Sequence, residues 1–379
     1  MTVPYWRLSG FYLFYYATLG AFVPYWSLYL AGLGYAPAAI GQLMALMMMT
    51  RVVAPNVWAW IADHTGRRMR IVQLGSLAAA LVFSGVFFAQ HFWWLALVVA
   101  GFSFFWNAAL PQVEVTTFNH LGTQPHRYGG IRLWGSIGFI ASVAGLGPLL
   151  DRFGTDLLPS VLMALFSAIW LSSLWVPERG IAQVPQGHAP LREVLSQRHV
   201  VVLLAICFLM QASHGPYYTF YSIYLEDHGY SRSLIGQLWA LGVIAEIGVF
   251  VVLPRLVLWF GLRTLLLCSL ALAAMRWLLI GYFIDNLPIL IVAQVLHAAT
   301  FGVYHGAAIQ LIHRYFHGRH QGRGQALYSS LSFGAGGAVG ALYSGYTWAV
   351  GGGVISFGAA ALVSGTALLF AWRGLKADV

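Results

Sequence analysis

The sequence predicts an all-α membrane protein, with twelve transmembrane helices arranged as two six-helix bundles of matching plan. Three observations predict it: a composition almost without charge, a chain that divides into long apolar runs, and a series of residues that recurs at a fixed offset. Hydrophobic residues fill 59% of the 379 positions and charged residues only 8%. A soluble domain carries about a quarter charged residues. A chain this poor in charge cannot cover its surface with polar groups, and lipid is the surrounding that accepts it.

A helix that crosses the hydrocarbon core needs about 20 mostly apolar residues. The apolar runs fall at roughly 6–31, 38–62, 70–90, 93–118, 130–150, 157–176, 199–225, 233–257, 263–284, 287–314, 323–348 and 352–373. They are too long for barrel strands and lack period-2 alternation. Backbone groups in lipid must be satisfied within the segment, which leaves a helical bundle. The first run begins almost at once and is about 25 residues long, longer than a signal-peptide core, so no cleavable leader is expected. Cys207 and Cys268 both lie in apolar runs. They are expected to pack as small apolar side chains and to form neither a disulfide nor a metal site.

The net charge of +9 invites a nucleic-acid partner, but its distribution points to a membrane. With the N-terminus inside, Arg7, Arg67, Arg68, Arg70, Arg127, Arg179, Arg192, Arg198, Arg255, Arg263, Arg314, Arg319, Arg323, Arg373 and Lys376 lie in or beside cytoplasmic segments. Arg152 and Arg232 fall outside, and Arg51, Arg132 and Arg276 sit within spans. This positive-inside bias puts both termini in the cytoplasm.

The repeat has an offset of 195 residues. Ile40-Gly41-Gln42-Leu43 returns as Ile235-Gly236-Gln237-Leu238. In the same register Gly20 aligns with Gly215, Tyr29-Leu30 with Tyr224-Leu225, Gly34-Tyr35 with Gly229-Tyr230, Gly66 with Gly261 and Arg68 with Arg263. Six spans per half make the halves parallel repeats. The expected organisation is an N-terminal bundle over 1–176, a cytoplasmic linker over 177–198 and a C-terminal bundle over 199–379. The linker carries Pro177, Gly180, Pro185, Gly187 and Pro190, with a short surface helix around Leu191–Ser196. Carriers of this kind hold substrate near the bilayer midplane and work by rocking.

The second span closes on Ala59-Trp60-Ile61-Ala62-Asp63-His64-Thr65-Gly66-Arg67-Arg68. This resembles the loop signature of the major facilitator superfamily, Gly-x-x-x-Asp-x-x-Gly-Arg-Lys/Arg. Ala59 replaces the first glycine, and in the second half Leu258 stands where the acid would repeat. The resemblance implies the major facilitator fold and a conformational latch formed by Asp63, Gly66, Arg67 and Arg68. Pro111-Gln112-Val113-Glu114 and Arg132-Leu133-Trp134-Gly135 resemble the lactose permease branch, where the acid and the arginine bind substrate. Leu296-His297 resembles the tenth span of that branch, but Thr300 replaces its proton-carrying acid, so that proton site does not carry over. His214-Gly215-Pro216-Tyr217-Tyr218-Thr219-Phe220, Ala245-Glu246-Ile247 and Leu296-His297-Ala298-Ala299-Thr300-Phe301-Gly302 are similar to the phenylpropionate permease branch, itself related to sugar and nucleoside proton symporters. A bacterial inner-membrane location follows from the resemblance.

Ionisable groups in the bilayer are costly and need a partner or a function. Glu114 and Arg132 lie at equal distances from residue 123, in the turn between the fourth and fifth spans, and so share a depth. They can clamp the two spans, bind substrate or gate it. Arg51 aligns by the offset with Glu246, the other acid deep in the bilayer. Each can pair with the other or with another group, and Glu246 ranks first as proton carrier. Arg276 and His297 lie about ten residues either side of the turn between the ninth and tenth spans, roughly 15 Å deep at 1.5 Å per residue. A histidine at that depth can titrate at physiological pH, and His297 is a candidate for both substrate and proton. Thr300, Phe301 and Tyr304 share its helical face, with His305 one step off. His214, Tyr217, Tyr218 and Tyr221 form an i, i+3, i+4, i+7 stripe, and Tyr12, Tyr15 and Tyr16 offer another. Such stripes are packing, interface belts or a cavity wall; Tyr15 and the stripe from His214 are taken as candidate substrate contacts. Gly135 and Gly138, and Gly334, Gly336, Gly337 and Gly340, read as sliding faces between the halves.

The sequence shows no catalytic constellation, metal cluster or phosphate loop, so neither enzymatic chemistry nor a cofactor is expected. The reading is a monomeric proton-coupled symporter that imports a small organic solute, with an aromatic carboxylate such as 3-phenylpropionate as the best substrate. Its partners are that solute, protons and the lipid bilayer, with no nucleic acid. The alternatives are sugar or nucleoside symport, proton-driven drug export, and a membrane enzyme or receptor.

Overall fold

A computed structural model of the chain describes residues 3–179, 192–317 and 320–375. Arg319, Lys376 and the linker positions Gly180, Pro185, Gly187 and Pro190 lie outside the described residues, as does Leu191. Helices account for nearly all of what is described, and the described residues contain no strand.

The first helices are α1 (Tyr5–Gly32), α2 (Pro37–Thr65) and α3 (Arg68–Phe83). A 3-10 turn over Ser84–Phe87 follows α3. The fourth span is broken into α4 (Phe92–Trp106) and α5 (Ala109–Leu121). Pro111 lacks the N–H that the carbonyl of Asn107 would accept, so the helical ladder is interrupted there. Next come α6 (Tyr128–Phe153), α7 (Leu158–Leu174) and the short α8 (Arg192–Leu195), which lies in the expected linker. The seventh span is likewise two pieces, α9 (Arg198–Ser213) and α10 (Gly215–Asp227), with Pro216 removing the donor for Ala212.

The run α11 (Arg232–Tyr282) has 51 residues, about 75 Å if straight, far more than one bilayer crossing. Its backbone leaves the helix at Gly261, where φ is +74°, a conformation open to glycine. Then follow α12 (Leu287–Val295), a π-helical segment over Ala298–Val303, and α13 (Tyr304–Tyr315). The chain ends with α14 (Gln321–Ser329), a second π segment over Ser330–Gly336, and α15 (Gly337–Gly374), which bends at Gly351 and Gly352. Among the described residues, nine helical runs are long and apolar enough to cross a membrane. Two of them are the glycine-broken runs, and α1 lies outside the nine. Large apolar side chains such as Phe88, Trp93, Leu258, Trp259 and Trp372 are exposed on helix surfaces, as a lipid-facing wall requires.

The chain falls into two compact units. The first comprises Met1–Tyr35, Met49–Val184 and Ser231–Gln237; the second comprises Ala36–Met48, Pro185–Tyr230 and Leu238–Val379. In the first unit α1 lies against α6 at backbone distance. A Cβ on Gly138 would come within 2.2 Å of the Leu13 carbonyl, and one on Gly20 within 2.5 Å of that of Phe139. Asp151, at the end of α6, accepts the backbone N–H groups of Arg232 and Ser233 at 2.8 and 2.9 Å. A carboxylate there complements the positive end of a helix. In the second unit Gly340 meets Ala212 and Gly215, and Gly336 meets the Phe208 carbonyl. These placements correct the expectation for the glycine faces: Gly138, Gly336 and Gly340 close contacts inside their own unit.

Candidate functional site

Each unit holds a cluster of polar side chains at mid-helix depth. In the first unit α1 presents three tyrosines. Tyr12 shares a hydrogen bond of 3.2 Å with Thr117 of α5. Tyr128, at the start of α6, donates to Glu114 at 3.3 Å, and its ring meets that of Tyr12. The Arg132 guanidinium lies 3.7 Å above the ring of Tyr16, close enough for a cation–π contact. Its charge acts on Glu114. Tyr15 packs on Tyr16 and Trp106, and the charge of Arg51 acts on both tyrosine hydroxyls. Glu114, Arg132 and Arg51 are neither fully buried nor all exposed, whereas Tyr15 is buried. Glu114 and Arg132, equidistant in sequence from residue 123, thus lie in one cluster, and each has a tyrosine as neighbour.

The same unit holds the loop over 59–68 that the sequence singles out as a candidate latch. Asp63 pairs with Arg68 at 2.5 Å, and Arg68 also donates to Gln112 of α5 at 2.5 Å. Gly66 takes φ +66° to turn the chain between them, and Arg67 is exposed. The N-terminus of α3 is capped in turn by Glu178, which accepts from the Met69 N–H at 2.8 Å.

The second unit carries the deeper cluster. Arg276 on α11 is fully buried. Its Nε donates to the Ala293 carbonyl at 2.7 Å and its Nη1 to Thr300 at 3.3 Å. The guanidinium lies against the rings of Tyr217 and Trp277, 4.3 and 4.7 Å from their centroids. Among the described residues its Nη2 has no hydrogen-bond partner. Tyr217 donates to the Oε1 of Gln294 at 2.9 Å and packs near Tyr221, Trp239 and His297. His297 Nε2 lies 3.9 Å from a carboxylate oxygen of Glu246. His214 closes the group against Trp277 and Tyr218. Arg276, His297, His214, Tyr217, Tyr218 and Tyr221 therefore meet in one place, with Glu246 at its edge.

Phe301 stacks on both His297 and His305, at 5.3 and 5.9 Å, so these three, spaced four residues apart, form one column along the π segment and the start of α13. Thr300 instead reaches Arg276, and Tyr304 donates to the Cys207 carbonyl of α9. Gln294 and Trp239 are site residues that sequence reasoning missed. A glutamine within the otherwise apolar run 287–296 was the available signal.

The cluster thus gathers a fixed cation, two histidines, a carboxylate and a wall of rings. The model of the MFS_1 like family matches residues 5–359. The chain belongs to that family. Among its curated relatives is the probable 3-phenylpropionic acid transporter of Escherichia coli strain K12, 31% identical over 356 residues, which cover 90% of each chain. The maltose permease of Geobacillus stearothermophilus is 27% identical, over 95% of this chain and 92% of its own. Among solved structures, the nucleoside transporter NupG superposes with a TM-score of 0.81 over 98% of each chain, at 16% identity. The MFS_1 like chain thus has the major facilitator fold, and it is a secondary transporter of the inner membrane rather than an enzyme.

Proposed function

We propose that this carrier is a proton-coupled symporter that imports an aromatic carboxylate such as 3-phenylpropionate by alternating access, with both termini in the cytoplasm. The observation that carries the reading is Arg276: a buried guanidinium against Tyr217 and Trp277, with Nη2 unpartnered. An unsatisfied buried donor is costly, and a ligand carboxylate would relieve that cost. Rings beside it suit an aryl group. Glu246, with His297 beside it, is the proton carrier in this scheme, since a carboxyl group deep in the bilayer can take up and release a proton. Substrate and proton each favour the occluded carrier, and coupling follows if the protonated empty form reorients poorly. The name of the Escherichia coli relative supports the substrate class, and the arginine distribution supports the sidedness.

A second reading is import of a sugar or nucleoside. The Glu114–Tyr128 hydrogen bond, with Arg132 nearby, offers both donor and acceptor to a neutral polyol, and two relatives are named for maltose and nucleosides. Thermal-shift titration of the purified protein separates the two, because a ligand stabilises the state it binds by RT ln(1 + [L]/Kd). Aromatic acids should raise the melting temperature, and maltose and uridine should leave it unchanged. The reverse pattern would replace the first reading with the second.

A further inference from the structure

The second unit's cluster contains both kinds of hydrogen-bonding need. Among the described residues, Arg276 Nη2 and Gln294 Nε2 are buried donors without a partner, and Tyr221 Oη and His297 Nδ1 beside them are unpartnered as well. Gln294 is oriented by Tyr217, whose hydroxyl donates to Oε1 and so assigns the opposite end of the amide as NH₂. His214 supplies the opposite need. It is fully buried, and its Nδ1 lies 2.8 Å from the Met210 carbonyl. A carbonyl oxygen only accepts, so Nδ1 carries the proton, and Nε2 of the uncharged ring is an acceptor. That Nε2 also has no partner. His214 sits against Trp277, the ring that flanks Arg276, and 6.4 Å from His297.

A simple aryl carboxylate answers the two donors and leaves the acceptor unmet. We propose that the site takes a ring-hydroxylated aryl carboxylate, with the carboxylate on Arg276 and Gln294 and the ligand hydroxyl donating to His214 Nε2. The inference rests on the reading of this cluster as an aromatic-acid site and adds His214 and Gln294 as its specificity residues. A pocket built to hydrogen-bond a hydroxyl disfavours the analogue that lacks it, because its own buried group is then left unpaired.

The test is binding to the purified full-length protein, comparing 3-phenylpropionate with its three hydroxyphenyl isomers and the matching methoxyphenyl acids. At least one hydroxy isomer should bind about tenfold tighter than the parent, the scale of one buried hydrogen bond. Its methoxy counterpart accepts but does not donate, and it should lose that advantage. In His214→Phe the preference for the hydroxy isomer over the parent acid should disappear, whatever the change does to the parent's own affinity; a preference kept in that variant would overturn the inference. In Gln294→Leu both should weaken together, with their ratio kept. Equal affinity for hydroxy and parent acids, or an advantage that survives methylation, would overturn the inference and leave the carrier reading standing. Failure of every aromatic acid to bind would overturn the carrier reading and the inference with it.

Discussion

The two polar clusters differ in how far their charges are satisfied. In the first unit Glu114 takes a hydrogen bond from Tyr128, Arg132 lies on Tyr16, and the charged groups are only partly withdrawn from the surface. In the second unit Arg276 and His214 are fully buried, and each keeps one nitrogen without a partner. A protein that buries an unmet donor gives up stability, so such groups mark places where something else is to bind. Under the proposed function, substrate capture falls to the second cluster and a supporting part to the first.

Four substitutions probe that contrast. Glu246→Gln should abolish uphill accumulation while keeping exchange of labelled for unlabelled substrate; retained accumulation would remove Glu246 from coupling. Arg276→Ala should weaken substrate binding by about 100-fold or more, the scale expected when one side of a buried charge contact is lost; titration calorimetry reads it directly. Arg132→Ala should reduce uptake by about fivefold, since a partly buried cation–π contact contributes about 1 kcal/mol. A larger loss there than at Arg276 would reverse the assignment. Tyr128→Phe removes one hydrogen bond to Glu114 and should change uptake by a few-fold at most.

Much of this was legible in the sequence because a membrane is an exacting solvent. Apolar run length marks each crossing, and every ionisable residue inside a run is conspicuous, as Arg276, Glu246 and His297 are. The antiparallel-turn argument brought Arg276 and His297 together because depth in a bundle follows residue count. Past residue 297 the chain takes a π segment, where Phe301 stacks on both His297 and His305 and Thr300 reaches Arg276. Gln294 went unnoticed because an uncharged amide raises no alarm in a hydropathy reading. Its role becomes visible only when Tyr217 is seen to orient it. The glycines were recognised as close-contact positions, but the sequence does not say which helix they touch; Gly138 proves to face Leu13 within its own unit.

Coupled uptake of an aromatic acid is the central claim. Purified protein in liposomes, given labelled 3-phenylpropionate and an inward proton gradient, should accumulate the acid above its outside concentration and release it when a protonophore is added. Absence of uptake, or accumulation that a protonophore leaves unchanged, would contradict it.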